Sequence, residues 1–62
     1  MNPDDEKRLA AVVRQACLEA ARRGYTEASQ SGICHEGAVE VSLDAIRMLD
    51  LNALLEQAKK GG

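Results

Sequence analysis

The chain contains no phenylalanine and no tryptophan, and Tyr25 is its single aromatic residue. A core built without large rings has little volume per residue, so its helices must sit close together to exclude water. Proline occurs once, at Pro3, and nothing after it interrupts a helix by removing a backbone donor. Cysteine is limited to Cys17 and Cys34, too few for the disulfide framework that stabilises many small secreted domains. No apolar run approaches the roughly 20 residues needed to cross a bilayer. Positive charge is not in excess either: eight basic residues are scattered among ten acidic ones, the net charge is −2, and no basic run exceeds two residues. Neither nucleic acid nor a membrane is therefore an expected partner. The opening Met-Asn-Pro-Asp-Asp-Glu is acidic where a secretory signal would be basic, so the expected location is the cytoplasm.

What is present is helical patterning. Sixty-two residues, 45% of them apolar, predict one helical domain over residues 1–62. A chain of this size buries only about 60% of its unfolded surface, and its stability usually comes from disulfides, a metal or oligomerisation. Asn2 suits an N-cap, Pro3 the first helical position, and Asp4, Asp5 and Glu6 the positive end of the helix dipole. The first helix is expected over residues 3–28, with Leu9, Val13, Ala16 and Ala20 on one stripe and Ala16, Ala20 and Gly24 spaced for close helix approach. Residues 29–33 form the turn: Gly32 suits a left-handed C-cap, and Ile33 beyond it suits the apolar contact of a Schellman motif.

So short a connection predicts an antiparallel return, with a second helix over residues 34–49. Its polar stripe is narrow (Glu36, Glu40, Asp44, Arg47), while Ala38, Val39, Val41, Leu43, Ala45, Ile46, Met48 and Leu49 fill more than half of its circumference. One partner helix covers a stripe of roughly 100°, so a second surface is expected to meet this arc. Continued unbroken, the helix would carry Leu51, Leu54 and Ala58 onto its polar stripe; a break near Asp50–Asn52 removes that conflict and starts a short helix over 51–60. With the turn centred near residue 31, facing positions sum to about 62. Val13 is then expected opposite Leu49, Ala16 opposite Ile46, and Tyr25 level with Ala38, while Gly37 is expected to admit a close approach by Tyr25 or a partner.

The fold class predicted is all-α, an antiparallel helical hairpin with a short third helix, assembling as a dimeric four-helix-type bundle. Leu18, Tyr25, Val39, Leu43, Ile46 and Leu54 are the expected interface residues. No catalytic residues and no cofactor are expected: a two-helix hairpin offers no concave pocket to hold a substrate beside His35 and Glu36. Cys34 stands about eleven residues of helix from Cys17, or about 16 Å, whereas a disulfide needs Cα atoms within roughly 7 Å; an internal bridge is not expected. Cys34, His35 and Glu36 are the candidate metal ligands, but no second cluster has the spacing of a structural zinc site. A thiol near a helix N-terminus beside a histidine also has the setting of a reactive cysteine.

The run Gly32-Ile-Cys-His-Glu-Gly37, followed by Asp44-Ala-Ile-Arg47 and Leu49-Asp-Leu51, resembles a group of very short bacterial α-helical proteins of unknown role over about residues 10–55. Some of that group carry an acetyltransferase label. This chain has no strands and no pyrophosphate-binding loop of the kind that activity requires, so neither the activity nor any site residue transfers. Glu36 to Asp44 after a Gly-Ile-Cys turn is also similar to small cysteine-bearing hairpin regulators that clamp metabolic enzymes, although the paired-cysteine spacing differs. The expected role is a small non-enzymatic interaction or regulatory protein that acts through helix–helix contacts, as a homodimer or with another protein. The alternatives are a thiol- or metal-dependent regulator centred on Cys34 and His35, and a small subunit of a larger complex. Ala20→Glu tests the close helix contact: an unpaired charge there is expected to abolish the cooperative melt in circular dichroism or to split any dimer.

Overall fold

The computed structural model describes residues 2–60 and consists of three helices: α1 (Pro3–Gln30), α2 (His35–Arg47) and α3 (Leu51–Lys60). Among the described residues there are no strands. The start of α1 forms as its sequence predicts: the Asn2 side-chain oxygen accepts from the Asp5 backbone N–H at 2.9 Å, Pro3 follows it, and three acidic residues occupy the first turn.

α1 runs two residues past the expected end at residue 28 and closes in a Schellman motif. The Gly32 N–H donates to the Ser29 carbonyl, the Ile33 N–H donates to the Ala28 carbonyl at 3.0 Å, and Gly32 takes φ +86°, a conformation open to glycine and strained for most other residues. Ile33 then folds over the first turn of α2, where a Cβ on Gly37 would stand 2.6 Å from its Cγ2. The close neighbour of Gly37 is thus Ile33, not Tyr25. Cys34 is the extended N-cap residue, so α2 begins at His35 instead of residue 34.

α2 ends at Arg47, two residues before the expected boundary at 49, and Met48, Leu49 and Asp50 form the break. Asp50 is the residue that caps α3: its carboxylate accepts from the Ala53 N–H at 3.0 Å. Lys59 and Lys60 occupy the last turn of α3, where the helix dipole is negative.

α1 packs against α2 along one part of its length and against α3 along the other, while α2 and α3 do not pack on each other. The result is a rod two helices thick, 44 × 15 × 14 Å, with a radius of gyration of 14.0 Å; a compact chain of this length would have about 10.6 Å. At the α1–α2 seam a Cβ on Gly24 would meet the Ser42 Cα and the Val41 carbonyl oxygen at 3.1 Å and the Ala45 Cβ at 3.2 Å. Facing positions therefore sum to about 66, one helical turn beyond the expected register. The physical reason is the turn itself, since α1 continues to Gln30 and α2 starts only at His35. Val13 and Ala16 accordingly lie in the part of α1 that α3 covers instead of opposite Leu49 and Ile46: Val12, Ala16 and Leu54 line one crevice, and Arg8 Nη1 reaches the Ala58 carbonyl at 3.4 Å.

Everything buried is small. Ala20, Gly24, Ala28, Ala38 and Ala58 are the buried residues, and no large side chain is fully enclosed. Gly24→Leu forces a branched side chain into the closest backbone contact, and overpacking of this kind costs about 1–3 kcal/mol. A lower urea midpoint is the expected result, and an unchanged or higher one would show that the seam is looser than its distances imply.

Candidate functional site

The candidate site is the flank of the hairpin that α3 leaves open. Successive residues turn by about 100° around a helix, so His35, Val39, Leu43 and Ile46 form one stripe of α2, beside the stripe of Ala38, Val41, Ser42 and Ala45 that faces α1. On α1, Leu18 and Tyr25 are seven residues apart and share a flank about 100–120° around the helix from Gly24. In an antiparallel pair of right-handed helices these two flanks fall on the same side. The contact between Tyr25 and His35 shows it directly: their rings meet edge-on with centroids 5.7 Å apart, and the hydroxyl and His35 Nδ1 share a hydrogen bond of 2.8 Å.

Five of the six expected interface residues (Leu18, Tyr25, Val39, Leu43 and Ile46) therefore lie on one face. Leu18 is 50% exposed and Leu43 45%, and Val39 is also exposed; Tyr25 and Ile46 are half-buried. Leu54 lies elsewhere, in the crevice between α1 and α3 with Arg8, Val12 and Gln15. Met48, the most exposed large apolar residue among the described residues at 83%, belongs to the break after α2 and lies off this face, at the edge of a hollow it lines with Arg23, Glu27 and Asp44.

Charge frames the face. On the α1 side Arg14 and Arg22 stand four residues either way from Leu18, and on the α2 side Glu36 and Glu40 stand beside Val39 and Leu43. Among the described residues none of these four joins an ion pair within the chain, whereas Arg47 is held by Asp44 on its own helix.

The three weak candidate metal ligands are not brought together. Cys34, His35 and Glu36 are consecutive, but among the described residues no three His, Cys, Asp or Glu side chains gather into a group that could hold a metal ion. His35 turns its Nδ1 to Tyr25. Cys34 is an exposed free thiol that makes no capping hydrogen bond, and Cys17 is a half-buried one.

Sequence reasoning missed the Tyr25–His35 bond and the Arg8–Ala58 contact. The first had a signal: the only aromatic residue and the only histidine of the chain stand within about one turn of each other in the expected hairpin register. No helix of the described residues is long and apolar enough to cross a membrane. A thiol reagent applied to the folded chain should modify Cys34 at least about tenfold faster than Cys17, because access limits the reaction of a half-buried thiol; equal rates, read by mass spectrometry, would contradict the placement of Cys17. No protein-family model, no curated protein and no solved structure matches this chain.

Proposed function

We propose that this chain is a helix–helix interaction protein whose open α1–α2 face docks against an apolar helical surface, and that it acts by binding and not by catalysis. The observation that carries this reading is the composition of the interior. The hairpin encloses alanines and one glycine, while Leu18, Val39 and Leu43 stand exposed along one flank. Burying an aliphatic side chain of this size is worth about 1.5–3 kcal/mol, so the free energy that a small helical protein normally draws from its core is left for a partner to supply. The described residues also bury no polar or charged side chain, so no group is held in the desolvated setting in which enzymes tune their acids and bases.

Urea denaturation of the chain at high dilution tests the reading. The isolated chain should have an unfolding free energy below about 3 kcal/mol, at or under the lower end of what a core of this size supplies. A dilute monomer stable by more than about 5 kcal/mol would show that the hairpin is self-sufficient and would remove the reason for a docking role.

A further inference from the structure

We infer that the occupant of this face is a second copy of the chain, with the two hairpins stacked through an isologous two-fold contact centred on Leu18, Tyr25, Val39, Leu43 and Ile46. The inference rests on the docking reading above and adds the identity of the partner.

Area is the first argument. The chain exposes 4652 Å², whereas a compact monomer of 6.7 kDa exposes roughly 3,900 Å². The excess, about 750 Å², is close to the roughly 800 Å² that each partner contributes to a stable interface of standard size. One contact of that size per chain brings its exposure to that of a compact protein. Shape is the second argument. The open face is two helical stripes side by side, one from α1 and one from α2, so the surface that complements it is itself a pair of adjacent helices. The chain presents such a pair, and stacking two rods that are each 15 × 14 Å in section gives the two packed layers from which helical domains are built.

Charge is the third. A two-fold contact that lays α1 of one copy over α2 of the other keeps axial levels, and with facing positions summing to about 66 it brings Arg22 within about one helical turn of the partner's Glu40, twice by symmetry. Neither Arg22 nor Glu40 joins an ion pair among the described residues. The seam of the bundle would then hold the leucines and valine that the hairpin alone leaves wet.

Sedimentation equilibrium of the full chain across the micromolar range, on the wild type and two variants, decides the matter. The wild type should sediment at twice 6.7 kDa. Leu43→Glu should raise the dimer dissociation constant at least about tenfold, as expected when a charge replaces an apolar residue at an interface centre, whereas Met48→Glu, off the face, should leave it unchanged. Methyl NOEs between copies in a mixed isotope-labelled sample, from Leu18 and Leu43 to the partner, check the same face without relying on a variant that folds. A wild-type monomer of marginal stability overturns the second copy as occupant and leaves the docking reading in place. A robust monomer overturns both. A dimer that resists Leu43→Glu but is split by Met48→Glu, or one lacking those NOEs, overturns the face.

Discussion

Gly24 has no Cβ, and the space one would need is bounded by the Ser42 Cα, the Val41 carbonyl oxygen and the Ala45 Cβ, all within 3.2 Å. Backbones this close leave no room between them for a leucine. The seam therefore consists of positions where side chains stop at a methyl group or less: Ala20 and Gly24 and, nearer the turn, Ala28 from α1, with Ala38 and Ala45 from α2. Ser42 fits there as well because its hydroxyl turns back and donates to the Val39 carbonyl of its own helix at 2.8 Å, which satisfies it without a partner across the seam. Close approach and the absence of Phe and Trp are two sides of one constraint, since a ring placed here would push the helices apart. The larger aliphatic residues are displaced to the flanks as a consequence, and the open face arises from the same geometry that makes the hairpin tight.

The turn holds this geometry in register. Gly32 in the left-handed region sends Ile33 back over Gly37, and both glycines are needed at that corner, one for its φ and one for the missing Cβ. The Tyr25–His35 bond adds a polar tie across the same end of the hairpin. At the other end Arg8 bonds Asp5 on its own helix and reaches the Ala58 carbonyl in the last turn of α3, where carbonyls lack helical partners and a cation is favoured by the dipole. Both ties sit near the ends of the rod, and the middle is held by packing alone: the small residues of the seam with half-buried Val12, Val41 and Leu54 at its margins.

Much of this was legible in the residues. The Asn2 cap, the Schellman signal at Gly32–Ile33 and the phase conflict that demands a break before Leu51 are local, and local chemistry decides them. The register was not, because it depends on which residues the turn consumes: Ser31 to Cys34 leave the helical path, so α1 ends two residues later than its pattern predicts and α2 starts one later. That shift of one turn moved Ala16 from a place opposite Ile46 to a level at the break, where it lines a crevice with Leu54 of α3, and Leu54 so left the group of residues expected to share an interface. The remaining five stay together because their grouping depends on helical phase, which a change of axial register does not disturb. Cys34, His35 and Glu36 show the converse: nearness in sequence does not converge side chains, and the neighbour of His35 comes from another helix.

The break at Met48–Asp50 also decides which faces of the helices stay open. An unbroken second helix would have turned Leu51, Leu54 and Ala58 toward the Glu36, Glu40 and Asp44 side. Restarting the helix at Leu51, capped by Asp50, resets the phase and lets Leu54 and Ala58 reach α1. It does so by extending the rod lengthwise instead of adding a third helix across the seam, so α2 and α3 each meet α1 alone. A three-helix bundle of this length would have used α3 to cover Val39 and Leu43. Here α3 is spent on the other part of α1, and the stripe that it does not reach is the one that carries Val39 and Leu43. The position of the break thus determines both the internal packing of α1 and which apolar stripe stays exposed.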